Sequence, residues 1–340
     1  MSSTPHTQTE MNPQARPEPI LDIQNLITEI RVPGRSLRPV EIERLVVPRG
    51  QVVGIVGESG SGKSMTAYSI LNLFPTAAAR IHSGSILLDG VDMVTARENE
   101  RVRIRGDKVG MVFQDYAMSF NPVISIGKQL MEQLLTHGRH ENAKAKVLSV
   151  LNEVGLSAEV FSRYPHELSG GMLQRVGIAS ALVCDPPLIV ADEPTTALDV
   201  TVQAQILELL KRIQQERNLS ILLITHDLGI VAEICDLVYV MYVGQIVEHG
   251  TVHKIFKSPA HPYTQGLLQG ASSVQSVGTH EIRVAIQGSI PGLTEIPSGC
   301  RFHDRCPYTM DICRTQEPGF YEVNGLQAAC WLHDPEHSHG

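Results

Sequence analysis

Residues 57–64 read Gly57-Glu58-Ser59-Gly60-Ser61-Gly62-Lys63-Ser64. They fit G-x-x-x-x-G-K-[ST] and lie between an apolar run, Val52 to Val56, and a helix-compatible stretch, Met65 to Leu73. Strand, glycine loop and helix is the setting this motif requires. The glycines let backbone N–H groups, from Glu58 through Met65, turn inward onto phosphate oxygens. The helix N-terminus adds partial positive charge at the same place. Lys63 has the reach for β- and γ-phosphates, and the Ser64 hydroxyl suits a Mg²⁺ shell. The alternative is a chance Gly/Ser turn, and the chain downstream weighs against it.

Downstream, Leu188-Ile189-Val190-Ala191-Asp192-Glu193 reads as a buried-type strand ending in two carboxylates. A lone acidic pair at a strand end is commonly a solvated edge. After a phosphate loop it has another reading: Asp192 in a Mg²⁺ shell, Glu193 polarising an attacking water. Val109 to Phe113 is a further apolar strand closed by Gln114, and Ser220 to Ile224 is one followed by Thr225-His226-Asp227. In an open parallel sheet, ligands bind at the carboxyl ends of the strands. Gln114, Asp192, Glu193 and His226 all fall at such ends. Leu168-Ser169-Gly170-Gly171-Met172-Leu173-Gln174 opens a helix, with Ser169 as N-cap. The two glycines expose free N–H groups, a second terminus suited to an anion.

The chain has 340 residues, room for one large domain and an appendage. With 42% hydrophobic residues it can bury an ordinary core. A net charge of −8 argues against a general nucleic-acid binder. No apolar run approaches the ~20 residues of a membrane span, so a membrane role would come through partners. Residues 1–19 are polar and Pro-rich and read as a disordered leader. Residues 20–56 read as short strands punctuated at Pro33-Gly34 and Pro48-Arg49-Gly50. Gly84 to Gly90 reads as a strand ending in an Asp-Gly turn. About 115–181 is helical: Ile126, Leu130 and Leu134 recur at four-residue spacing, and Val147, Val150, Leu151 and Val154 follow with Gly155 at a C-cap position. Val202, Ile206, Leu209 and Ile213 mark another helix. The fold class expected is α/β: a RecA-like core with an antiparallel β subdomain and a helical insertion.

Six motifs in this order make the chain resemble an ABC-type ATPase over residues 20–270. Gly57 to Ser64 resembles the Walker A loop, Gln114 the Q-loop glutamine and Leu168 to Gln174 the signature. Asp192 and Glu193 resemble the Walker B pair, Ala197-Leu198-Asp199 the D-loop and His226 the switch histidine. A narrower likeness, nearly full-length, is to ATP-binding subunits of dipeptide, oligopeptide and nickel importers. It rests on Glu167 to Met172, Ala191 to Thr201, His261-Pro262-Tyr263-Thr264, Pro291-Gly292-Leu293, Gly299-Cys300-Arg301-Phe302 and Arg305-Cys306-Pro307-Tyr308. Two departures stand out. Tyr116 occupies a usual proline position, and no aromatic residue lies between Ile20 and Gln51 to stack on adenine.

The resemblance implies ATP bound with Mg²⁺ held by Ser64, Gln114 and Asp192. It implies Lys63, Glu193 and His226 as the catalytic groups. It also implies a head-to-tail pair of ATPases, in which a second subunit, a paralogue, offers its own Ser-Gly-Gly turn to the γ-phosphate. Two permeases, an extracytoplasmic solute-binding protein and a place at the cytoplasmic face of the inner membrane complete the expectation. Soluble ATPases of iron–sulfur assembly are the competing class. DNA-maintenance ATPases carry far longer insertions than the about 105 residues between Ser64 and Ser169.

Of six cysteines, Cys184 and Cys235 sit in apolar surroundings and read as core thiols. Cys300, Cys306, Cys313 and Cys330 fall in the last 41 residues, spaced C-x₅-C-x₆-C-x₁₆-C, within a C-terminal appendage spanning 271–340. Clustered cysteines outside an oxidising compartment favour metal over disulfides. The short knuckles of zinc sites are absent. Four thiolates on longer loops suit a [4Fe–4S] cluster, which the resemblance also implies; zinc and no metal remain the alternatives. His303 and His333 read as exposed, Glu281 to Ile286 as a short strand, and Pro335 to Gly340 as a disordered end.

Overall fold

The protein's structure is a computed structural model that describes residues 18–115, 118–196, 198–273 and 286–336. The leader up to residue 17, Ala197, most of the strand expected at 281–286 and residues 337–340 lie outside the described residues. In chain order the elements are β1 (Leu21–Val32), β2 (Arg35–Val47), β3 (Val52–Val56), α1 (Lys63–Leu71), β4 (Ala79–Leu88), β5 (Val91–Asp92), α2 (Glu98–Asp107) and β6 (Val109–Val112). Then come α3 (Ile126–Thr136), α4 (Ala143–Glu153), α5 (Gly170–Leu182), β7 (Leu188–Asp192), α6 (Val200–Arg217), β8 (Ser220–Thr225) and α7 (Leu228–Ile234). β9 (Leu237–Tyr242), β10 (Gln245–Thr251), α8 (Val252–Lys257), α9 (Pro262–Ser273), β11 (Phe320–Val323) and β12 (Leu326–Ala329) complete it.

Two sheets carry the architecture. A four-stranded antiparallel sheet runs β2-β1-β4-β5, and an eight-stranded sheet runs β11-β12-β10-β9-β3-β8-β7-β6. In the latter, β9, β3, β8, β7 and β6 are parallel. Every residue of β3, β7 and β8 is buried, as expected of strands covered on both faces. On one face Ile55, Val190 and Ile224 share a core with α1 and the antiparallel sheet. On the other, Ile189 and Ile221 share one with α5, α6 and the helical block, including Leu130 and Leu151. The insertion is thus fused to the sheet through a continuous core. A Cβ on Gly110 of β6 would stand 2.1 Å from the Ala181 carbonyl, so α5 can approach that strand only over glycine. Arg217 of α6 ties α4 down from outside, through Glu153 (2.6 Å) and the nearby Asp185 (2.8 Å).

The structure departs from the sequence reading in several elements. β1 and β2 are one long ribbon of 12 and 13 residues, because one face alternates into the core while polar side chains point out. β4 begins at Ala79, before the expected start at Gly84. α2 was not expected. Ile104 is its only buried side chain, so it has no apolar stripe to read. The hairpins β9–β10 and β11–β12 were not expected either. Through β12 against β10, the tail extends the main sheet.

Candidate functional site

Four parallel strands end side by side, and each delivers a polar group. The phosphate loop follows β3, His226 follows β8, Asp192 ends β7 with Glu193 beyond it, and Gln114 lies just past β6. Register sets Val56 beside Thr225, Ile224 beside Asp192 and Ala191 beside Val112. A cleft of about 760 Å³ opens there, lined by Gly57, Glu58, Ser59, Gln114, Glu193, Thr196 and His226. The tail contributes Gly288, Ser289 and Ile290 to the same cleft.

Within the loop, Gly62 holds φ +106° at the N-cap of α1, and a Cβ there would meet the Pro39 carbonyl at 2.5 Å. Only glycine tolerates both demands. The Lys63 side chain is buried and donates to the carbonyls of Gly57 (2.8 Å) and Glu58 (2.9 Å). Burial pushes its pKa down, while Glu193, Asp192 and Glu58 pull it back up. Ser64 Oγ donates to Asp192 Oδ1 at 3.2 Å. Burial raises the Asp192 carboxyl to about 6; Glu193 adds to the rise and the Ser64 hydrogen bond opposes it. A hydroxyl and a buried carboxylate at this spacing, with the Gln114 amide on the adjoining strand end, are hard oxygen donors of the kind Mg²⁺ takes. Ser61 Oγ is buried with no protein partner, a further polar atom left over inside the loop.

Glu193 sits at φ +48°, a left-handed conformation that a glutamate holds only under constraint. Its N–H donates to the Ile224 carbonyl at 2.8 Å. Its carboxylate accepts from Thr196 Oγ1 at 2.6 Å and lies 2.9 Å from His226 Nδ1. Burial pushes the Glu193 pKa up, but the Thr196 and His226 contacts outweigh it and hold the group below its usual value.

The structure does not bring every expected site residue together. Ser169 caps α5, its Oγ accepting the Met172 N–H at 3.4 Å. Yet Ser169 and Gly170 are solvent-exposed, and the Ser169-Gly170-Gly171 turn is not among the described residues lining the cleft. α5 is nonetheless wired to it: buried Gln174 Nε2 donates to the Pro194 carbonyl at 2.5 Å, one residue past Glu193. Met65 packs its side chain against the core, leaving only its backbone for phosphate. Of the D-loop, Asp199 caps α6 by accepting the Val202 N–H at 3.0 Å.

In the tail, all four cysteines are free thiols. The Cys300 N–H donates to the Cys313 carbonyl at 2.8 Å. Burial raises Cys300 to about 11 and Cys330 to about 12, and it raises Cys306 as well. At each of these three, the backbone N–H two residues further on (Phe302, Tyr308, Leu332) opposes the rise. Among the described residues no three His, Cys, Asp or Glu groups stand close enough to hold one metal ion. His303 corrects the sequence reading: it is buried, with Nδ1 2.9 Å from the Cys300 carbonyl and Nε2 2.9 Å from Asp304. His333 is half-buried, its Nε2 2.9 Å from the Ala260 carbonyl. Cys184 and Cys235 are packed against the core as expected, with Cys235 pushed to about 12. The sequence reading quoted Thr196, Gln174 and the tail's Arg305 only within motif stretches and gave none of them a role: Thr196 lies three residues after Glu193, Gln174 closes the signature stretch, and Arg305 opens Arg305-Cys306-Pro307-Tyr308.

Fold and site together define an ABC-type ATPase. Residues 42–196 match the ABC transporter family, and residues 247–313 match the oligopeptide/dipeptide transporter C-terminal region. The chain is 44% identical to the oligopeptide transport ATP-binding protein AppD of Bacillus subtilis, over 93% of this chain and 98% of AppD. It is 42% identical to the dipeptide transport ATP-binding protein DppD of the same organism, over 95% of this chain and 97% of that one. The dimeric bacterial ABC transporter cassette MJ0796 superposes with TM-score 0.62 at 27% identity, over 68% of this chain and 98% of the cassette. The chain belongs to the family of ATP-binding subunits of oligopeptide and dipeptide ABC transporters. The competing class, soluble ATPases of iron–sulfur assembly, is not supported, because these full-length relatives are named for peptide transport.

Proposed function

We propose that this chain is the ATP-hydrolysing subunit of an importer for di- or oligopeptides or similar small solutes, metal chelates and nickel included. The observation that carries the reading is that the likeness spans both the ATPase portion and the tail of relatives matched over nearly their whole length. Among the described residues no helix is long and apolar enough to cross a membrane. The reading puts the chain at the cytoplasmic face, docked on two permeases beside a second, paralogous ATPase, with an extracytoplasmic protein supplying the cargo. Residues 20–270 form the ATPase unit and 271–340 the appendage.

In this reading the backbone N–H groups of the phosphate loop bind the β- and γ-phosphates, except that of Glu58, which donates to Tyr263 Oη instead, and Lys63 leaves its carbonyl cradle to meet them. Ser64, Asp192 and Gln114 hold Mg²⁺, which supplies charge neutralisation when bound. Glu193, aimed by Thr196 and His226, orients the attacking water and accepts its proton. His226 meets the γ-phosphate from the next strand end. By the number and spacing of its cysteines, the reading also gives the tail a [4Fe–4S] cluster with a structural role. Anaerobic purification should return about four iron per chain; a chain without iron or acid-labile sulfide would remove the cluster and leave the ATPase.

The test of the whole reading is purification of the tagged chain from its own membranes in mild detergent. Two permeases, a second ATPase and a binding protein should accompany it. A soluble chain arriving with no permease would overturn the importer and leave only ATPase chemistry.

A further inference from the structure

We infer that Arg305, in the C-terminal tail, positions the phosphate loop and so sets the affinity for ATP. Arg305 lies 247 residues from Glu58, yet its guanidinium forks onto that carboxylate, with Nη1 2.7 Å and Nη2 2.9 Å from the two oxygens. Nε and Nη2 also reach the carbonyls of Gln287 (3.0 Å) and Gly288 (3.2 Å), in the segment that walls the cleft, and Nη1 donates to Tyr242 Oη at 3.4 Å. The side chain is 7% exposed. The rings of Tyr242 and Phe302 lie 5.7 and 6.0 Å from its Cζ. A second tether comes from α9, where Tyr263 Oη accepts the Glu58 N–H at 2.9 Å.

Glu58 is therefore held at three points: its N–H by Tyr263, its carbonyl by Lys63 and its carboxylate by Arg305. It stands between Gly57 and Gly60, in a loop whose glycines make it costly to order. Fixing such a loop before the ligand arrives lowers the entropic cost of binding. A shielded, bidentate ion pair can do this where an exposed one could not. Arg305 touches no reacting atom in this arrangement; it is a positioning residue acting through Glu58. The inference rests on Gly57–Ser64 being the ATP loop and is independent of the cargo.

The experiment uses the full chain, a fluorescent ATP analogue for Kd, and phosphate release for KM and kcat. Arg305→Gln should raise Kd and KM for ATP about tenfold, with kcat within about twofold. Arg305→Lys, keeping charge without the fork, should recover about a third of that loss. Glu58→Gln should raise Kd to a similar extent, and the double variant should be no worse than either single one, since both remove one contact. A Kd within twofold of the parent for Arg305→Gln, or losses that multiply in the double variant, overturns the inference. If Arg305→Gln does not fold, Glu58→Gln and Arg305→Lys decide alone, and parental Kd values in both overturn it. Lys63→Ala tests the underlying reading separately: it should lose ATP binding, and unchanged binding there would mean that the loop itself had been misread.

Discussion

At the scale of single residues, the site depends on a glutamate held in an unfavourable backbone conformation. Glu193 keeps φ +48° because its N–H is bonded to β8 and its carboxylate to Thr196 and His226. Glu193→Gln preserves shape and both neighbours but removes the proton acceptor. It should retain ATP while hydrolysis falls by about 10²–10⁴-fold, read as nucleotide binding beside phosphate release; undiminished turnover would remove Glu193 from the role. Thr196→Ala should act more mildly. Losing the 2.6 Å bond frees one carboxylate oxygen and removes a contact that keeps the group ionised. A fall in kcat of about tenfold, with Kd for ATP little changed, is the expected split. Glu193 was legible in the sequence because a strand pattern ran straight into it. Arg305 was quoted only as the start of Arg305-Cys306-Pro307-Tyr308, and its role was not legible, because nothing local points an arginine to a partner 247 residues away.

Among the elements, α9 shows how a short sequence stretch earns its place. Buried Glu248 on β10 accepts the N–H groups of Ala260 (2.7 Å) and His261 (3.0 Å), just ahead of the helix. His261 Nδ1 accepts the Tyr263 N–H at 3.0 Å, and Pro262 takes the first helical position. Burial holds the His261 ring neutral, its pKa pushed down to about 3, as an acceptor nitrogen requires. The His-Pro-Tyr-Thr stretch is thus a helix start that aims Tyr263 at the phosphate loop. Glu248→Leu strands two buried donors and should cost about 2–4 kcal/mol, read as a lower midpoint in thermal or denaturant unfolding. Glu248→Gln keeps one acceptor oxygen and should cost roughly half as much. Elements were legible where burial is one-sided or complete, as in β3, β7, β8 and α6. They were hidden where tertiary contacts alone stabilise them: α2 buries only Ile104, and β12 forms because β10 offers an open edge.

At the scale of the whole molecule, of the two helix termini that the sequence marks as suited to phosphate, one faces the cleft among the described residues and the other does not. The loop before α1 lines it; Ser169 and Gly170 of the other turn are exposed to solvent elsewhere. If two ATPases pair head to tail, as proposed above, a partner's turn would complete the phosphate shell; the cassette MJ0796, of similar fold, is dimeric. Gly170→Asp separates the two termini. Gly170 is the first residue of α5 and exposed, so an aspartate there complements the helix dipole and leaves folding intact. In a closed dimer the same carboxylate would confront the γ-phosphate of the partner's ATP, like charge against like charge. The isolated variant should bind ATP with an unchanged Kd. In the assembled transporter, hydrolysis at the partner's site should fall at least about a hundredfold. Weakened binding in the isolated chain would mean that the turn serves its own nucleotide after all, and full turnover in the assembly would mean that it serves none.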